Sequence, residues 1–196
     1  VEINPKVKVP KGEPVPFVPM SSLSTDSMII DDVSYRAGAS GAKFQNGDTL
    51  LARITPCLEN GKTGFVQFLS GQSDVACGST EFIVLRSRVS CPEYVYVLAR
   101  DDQFRAHAIA SMTGATGRQR VQDASLRQYE IARSPQHLFD AFHVMVKPMF
   151  DLIHVLSRAN ASLRSTRDLL LPKLISGQID VSADLSVEEM EAHLVS

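Results

Sequence analysis

The 196-residue sequence lacks the features of exported and membrane-inserted proteins. No apolar run approaches the roughly 18 residues of a membrane-spanning helix, and no charged segment precedes an apolar one as in a secretion signal. Three cysteines, an odd number with no short pairing, fit a reducing compartment better than a disulfide framework. The sequence therefore predicts a cytoplasmic protein.

Motifs of common catalytic and metal centres are also missing. There is no phosphate-binding glycine loop, no H-E-x-x-H and no C-x-x-C. Cys57, Cys77 and Cys91 are far apart, and scattered cysteines are more often buried apolar residues than metal ligands. A thiol nucleophile at Cys77 with His107 as its base has only one distant histidine in its favour. We expect no catalytic residue, no metal site and no cofactor, and we expect the helical histidines, His143 among them, at the surface.

The charge is nearly balanced, which excludes a strongly basic, non-specific nucleic-acid binder. The net charge is −2, and the segment from Asp180 to the end carries five acids and no Lys or Arg. Residues 1–179 thus have a net charge of +3, from 20 basic and 17 acidic residues. Any contact with DNA must be local or shared with a partner.

Residues 1–134 alternate turn-forming residues with short apolar runs, a pattern typical of strands. Asn60-Gly61 is a tight-turn signal, expected to join two of these strands as a hairpin. Pro92 predicts the first residue of a helix that carries Tyr94, Val97, Leu98 and Phe104. The predicted strands are 15–20, 49–55, 64–69, 75–77 and 82–85. Together they indicate a mixed α+β globular domain.

Residues 135–177 predict one long helix of the coiled-coil type. Apolar residues alternate at spacings of four and three, the a/d pattern, for more than four heptads. A helix over about 136–176 would be roughly 60 Å long, more than the core of a small domain needs. Pro148 should kink or divide it, and Gly177 should end it. We predict dimerisation through its apolar seam, which comprises Leu138, Phe142, Met145, Met149, Leu152, Leu156, Leu163 and Leu170, with Ala159 and Thr166 leaving room for close approach.

Polar residues on three predicted loops are candidates for contacts with nucleic acid. Arg and Gln form paired hydrogen bonds with guanine and adenine edges, whereas Lys, Ser and Thr suit phosphates. Loops are polar in any case, so an ordinary solvated surface remains the alternative. The candidates are Arg53, Asn60, Lys62, Ser79, Thr80, Thr116, Arg118, Gln119 and Arg120.

Four segments, in this order, resemble the specificity subunit of type I restriction-modification systems. They are residues 47–62 (GDTLLARITPCLENGK), 78–82 (GSTEF), 113–121 (TGATGRQRV) and 163–177 (LRSTRDLLLPKLISG). The resemblance implies a target-recognition domain at 1–134 with its first strand or so missing, a conserved spacer helix at 135–177 and an acidic tail at 178–196. Because family members carry two such copies and no repeat is found here, the chain resembles half a subunit, either a natural half-length protein or a fragment.

The resemblance also implies a division of labour. The chain would recognise double-stranded DNA without catalysis, with the modification subunit binding S-adenosylmethionine and methylating adenine, and the restriction subunit translocating and cutting. A homodimer would then read a two-fold symmetric, interrupted site. Two other readings stay open: an enzyme with a helical dimerisation arm, and a coiled-coil scaffold. The target bases do not follow from the sequence.

Overall fold

The computed structural model describes residues 1–9, 13–38, 40–71, 74–115, 117–132 and 134–179. Eight strands form two four-stranded sheets, with strand orders β1-β8-β5-β6 and β3-β2-β7-β4. The α+β architecture predicted from the sequence is confirmed. The strands are β1 (Glu2–Ile3), β2 (Pro14–Val18), β3 (Ser34–Ala37), β4 (Ala42–Phe44), β5 (Thr49–Ala52), β6 (Thr63–Phe65), β7 (Ala76–Gly78) and β8 (Phe82–Arg86); the helices are α1 (Pro92–Arg100), α2 (Asp102–Ala110), α3 (Asp123–Leu126) and α4 (Gln136–Ile175).

Strand β5 lies inside the first sheet and separates two hydrophobic cores. It pairs antiparallel with β8 on one side and β6 on the other. Leu51 packs with Val95 and Val121 in one core, whereas Leu50 packs with Phe44 and other residues in the second. Because successive side chains of a strand point to opposite faces, both faces of β5 are covered.

All five predicted strands are found, mostly shorter than predicted, but β1, β3 and β4 were missed. β1 has only two residues, and β3 is an exposed edge strand, so neither shows the alternation of a half-buried strand. The β5–β6 pairing is confirmed, but the tight turn at Asn60-Gly61 is wrong. The connection runs over residues 53–62, where the Asn60 amide donates to the Pro56 carbonyl (2.9 Å) in a helical turn. Leu58 is fully buried within this connection, which explains why it folds inward.

Two helical predictions also need correction. Pro92 does begin α1, but that helix ends at Arg100 instead of continuing through Phe104. Asp101 caps the separate helix α2, accepting hydrogen bonds from the Gln103 and Phe104 amides (both 3.0 Å). Pro148 does not divide α4, which is one helix of 40 residues.

The chain divides into two compact units, residues 1–154 and 155–196. The first contains both sheets, α1–α3 and the first part of α4. In the second, α4 ends at Ile175, and the predicted stop, Gly177, follows with φ +70° and donates its amide to the Leu174 carbonyl (3.2 Å). The predicted acidic tail lies outside the described residues from 180 onward. Among the residues that are described, no helix is both long and apolar enough to cross a membrane.

Candidate nucleic-acid interface

Residues 113–120 form a closed loop between α2 and α3. Thr113 and Arg120 exchange backbone hydrogen bonds of 3.1 and 2.8 Å, which tie the two ends of the loop together. Inside it, the Arg118 amide donates to the Ala115 carbonyl (2.9 Å). Gly114 and Gly117 have φ angles of +128° and +80°, which favour glycine. The loop holds the exposed Arg118 side chain away from the core.

Arg120 is bound to a carboxylate by both arms of its guanidinium. Its Nε lies 2.9 Å from Glu81 Oε2 and its Nη2 lies 2.6 Å from Glu81 Oε1. These hydrogen bonds lower the pKa of Glu81 below its ordinary value of 4.5. This pairing uses Nε and one Nη2 hydrogen of the five guanidinium donors, so it holds the loop in position and leaves the outer end of the guanidinium exposed. The sequence could not show this partner, because it lies 39 residues away.

Backbone bonds bring three candidate segments together. Gln119 donates its amide to Thr55 Oγ1 (3.2 Å), and its carbonyl accepts from the Thr55 amide (3.1 Å). Arg53 donates from its amide to the Glu81 carbonyl (2.9 Å) and from Nη2 to the Val121 carbonyl (3.0 Å). Thus residues 53–55, 79–81 and 113–120 come together at one surface, with the buried Val121 beneath it.

The remaining candidates have different surroundings. Thr80 is exposed in the turn before β8, and Ser79 Oγ stabilises that turn by accepting from the Glu81 amide (3.2 Å). Asn60 is exposed in the β5–β6 connection. Lys62 donates from Nζ to the Met20 carbonyl (3.2 Å), which occupies one of its three donors. Thr116 lies outside the described residues.

An open groove next to Arg53 and Thr80 adds two lysines that the sequence did not single out. We call it the basic groove; its volume is about 570 Å³. Lys6 follows β1 and Lys43 lies in β4. Because both strands are too short to give a clear pattern in the sequence, the sequence did not indicate that these lysines share a groove. The groove is lined by Asn4, Pro5, Lys6, Val7, Gly41, Ala42, Lys43, Arg53, Thr80, Phe82 and Val84.

The geometry disfavours a thiol nucleophile. Cys77 is fully buried in β7, and burial raises the pKa of its thiol, the opposite of activation. His107 Nε2 lies 3.0 Å from the Ser125 carbonyl oxygen instead. Within the part of the chain that the structure describes, no hydrogen bond joins Cys77 to His107.

Another cluster links α1 to α4. Donor atoms of Cys91, Glu93 and His143 lie within 4.8 Å of one another, and His143 Nδ1 is 2.8 Å from Glu93 Oε2. Burial raises the pKa of the Cys91 thiol. His143 is half-buried there, whereas the sequence analysis predicted a position at the surface. Each of the three side chains has a partner inside the cluster, so it is explained as a buried polar contact.

The first part of α4 packs against the globular part through Phe139 and Phe150. Each of them comes one position after a residue of the predicted dimerisation seam. Phe139 contacts Tyr94 (centroids 5.1 Å apart), and Phe150 contacts Phe65 and Tyr96 (5.0 and 5.6 Å). The predicted seam stays uncovered in the single chain, apart from Phe142, which is half-buried against Tyr94. Its exposed members are Leu138, Met145, Met149, Leu152, Leu156, Leu163 and Leu170.

Comparison with known proteins identifies relatives of one kind. The chain is 33% identical over 140 residues to the type I restriction enzyme EcoEI specificity subunit of Escherichia coli, a match that covers 68% of this chain and 23% of that protein. It is 32% identical over 127 residues to the EcoAI specificity subunit of the same organism, covering 61% and 21%. The chain thus spans less than a quarter of the curated relatives it matches. No protein-family model matches it.

Solved structures show the same fold. The HsdS subunit from Thermoanaerobacter tengcongensis superposes with a TM-score of 0.55 at 18% identity, covering 89% of this chain and 46% of that one. A chain from a structure on complex assembly and conformational transition of the type I R-M system gives 0.55 at 20% identity, with the same coverage. The resemblance to specificity subunits predicted from the sequence is confirmed, and the chain corresponds to about half of these solved chains.

Proposed function

We propose that this chain recognises a DNA sequence as a specificity subunit, or half of one, of a type I restriction-modification complex. The observation that carries the proposal is the 33% identity to a type I specificity subunit over 140 residues of this chain. The surface formed by residues 53–55, 79–81 and 113–120 supports it, because separate parts of the sequence combine there into one polar face. On that face, Arg118, Gln119 and Thr80 contact DNA, whereas Arg53 and Arg120 position the loop.

We propose that the chain itself has no catalytic activity and binds no S-adenosylmethionine. The buried state of Cys77 supports this proposal, because it removes the one nucleophile that the sequence suggested. Methyl transfer would then belong to a modification subunit carrying S-adenosylmethionine, and cleavage to a restriction subunit, all in the cytoplasm. Adenine methylation mapped in cells that express the modification subunit with or without this chain tests the proposal. One specific motif should appear only with the chain; the same methylation without it would refute the proposal.

We propose that two copies associate through the seam of α4. Seven large apolar side chains of the seam are exposed in the single chain, and a stripe of this size is expected to have a partner. An antiparallel two-fold pair would hold two identical recognition surfaces apart, so the methylated motif should be two-fold symmetric and interrupted.

Sedimentation tests the pairing directly. Leu156→Asp places a charge in the seam and should convert a dimer into a monomer at micromolar concentration. Ala161→Asp is the matched control, because position 161 falls on the opposite side of the heptad and should leave the dimer intact. A parent chain that is monomeric at this concentration, or a Leu156→Asp variant that remains dimeric, would exclude the seam.

A further inference from the structure

The basic groove has an unbalanced set of charges. Among the residues that the structure describes, its three ionisable lining residues, Lys6, Lys43 and Arg53, are all cationic, and no carboxylate lines it. Within the described ranges of the chain, the ammonium groups of Lys6 and Lys43 have neither a hydrogen bond nor an ion pair. Arg53 Nε is buried and likewise has no partner there. That buried atom is out of reach of a ligand in the groove, whereas the two ammonium groups without partners suit the groove to an added anion.

The backbone holds both lysines in place. Asn4, next but one to Lys6, donates from Nδ2 to Asp123 Oδ2 (2.6 Å) and accepts at Oδ1 from the Val84 amide (2.9 Å). Lys43 pairs with Cys77 across β4 and β7, and the neighbouring Phe44 is fully buried. Because side chains alternate along a strand, Lys43 is directed away from the core that holds Phe44.

The chemistry of the groove matches one part of a nucleic acid. Its floor includes Phe82 and Val84, which are apolar, and its rim carries ammonium groups and the Thr80 hydroxyl. An ammonium is a point charge without the planar fork that reads a base edge, so it suits a phosphate oxygen. A sugar–phosphate backbone offers both an anion and an apolar surface.

We propose that the basic groove binds the phosphate backbone of a DNA duplex through Lys6 and Lys43, beside the loop that carries Arg118. The inference rests on the proposed function and extends it, because it assigns sequence-independent contacts to residues outside the predicted loops. Each lysine that neutralises one phosphate contributes about 0.9 to the slope of log affinity against log salt. Its loss should therefore weaken binding by about eightfold at roughly 0.1 M salt.

Fluorescence anisotropy with the full chain and a random-sequence duplex tests the groove, because phosphate contacts need no target site. Lys6→Ala and Lys43→Ala should each lower the salt slope by about one. Lys147→Ala is the control, because this substitution removes the same charge outside the groove. Lys147 is exposed on α4 and forms an ion pair with Asp151. Lys43→Gln keeps most of the side-chain stem and guards against a folding defect, and it should behave like Lys43→Ala.

The outcomes are distinguishable. If the parent binds duplex and both groove variants bind with unchanged slope, the inference is wrong while the proposed function stands. If the parent binds no duplex at any salt, the groove assignment fails, and the methylation map decides separately on the proposed function. An equal loss of duplex affinity for Lys147→Ala would show a general charge effect and would overturn the assignment of the groove. If inorganic phosphate displaces the duplex more than chloride does at equal ionic strength, the groove is a small-anion site and the assignment to a DNA backbone is overturned.

Discussion

Replacing Phe150 by alanine tests which stripe of α4 packs against the globular part. Phe150 is only 7% exposed and contacts Phe65 and Tyr96 edge to face. A buried Phe→Ala change generally costs about 3–5 kcal/mol, from lost burial and from the cavity that remains. For Phe150→Ala we expect the free energy of unfolding to fall by about 3–4 kcal/mol, because one wall of the cavity is a helix that can shift inward. For a protein of this size, that lowers the melting temperature by roughly 10 °C.

Met149→Ala is the matched control, because Met149 is adjacent and 56% exposed. Because Met149 belongs to the proposed seam, its effect on the free energy of unfolding should stay within about 0.5 kcal/mol at a protein concentration at which the chain is monomeric. The chain contains no tryptophan, so urea unfolding is followed by far-ultraviolet circular dichroism. Measurements at two protein concentrations separate folding from association, since only association depends on concentration. Equal losses for Phe150→Ala and Met149→Ala at both concentrations would refute the packing register.

Three further predictions concern the loop and the thiols. Arg118→Ala should weaken binding to duplex without lowering the melting temperature, whereas a lowered melting temperature would show a structural role. Because Arg120 lowers the pKa of Glu81, the ion pair between them should stabilise the loop above pH 4.5, and this stabilisation should be lost as the pH falls through the pKa of Glu81 in the folded protein. Faster amide exchange in residues 113–120 at low pH should show the loss, and Arg120→Ala should abolish the pH dependence. Burial raises the pKa of the Cys77 and Cys91 thiols, so both should react with a disulfide reagent only after unfolding. Fast reaction of either thiol in the native protein would contradict their burial.

Local patterns predicted the elements that have strong local signals. Alternating apolar residues located β5 and β8, Pro92 located the start of α1, and Gly177 located the end of the helix. The motifs also identified the right family of relatives, because their order along the chain is more specific than any one of them.

Long-range pairing explains what the sequence could not show. The bond between Arg120 and Glu81 spans 39 residues, and the Asn4–Asp123 contact spans 119, so no window of sequence contains both partners. For the same reason Lys6 and Lys43 gave no signal of sharing a groove. The contacts of Phe139 and Phe150 with the globular part were missed for another reason. A heptad pattern shows that apolar positions repeat along a helix, but it does not show which of two adjacent apolar stripes contacts the domain.

The closure of residues 113–120 has a consequence for how a protein with the proposed function would acquire new specificities. Its ends are fixed by the Thr113–Arg120 backbone pair and by the attachment of Arg120 to Glu81. Between these anchors, Gly114 and Gly117 are constrained by positive φ angles, but the exposed Ala115 and Arg118 contribute surface rather than packing and can change with little effect on the buried cores. If the loop contacts DNA as proposed, selection can act on these exposed positions almost independently of foldability, so their variation is a route by which recognition can diverge while the scaffold stays constant.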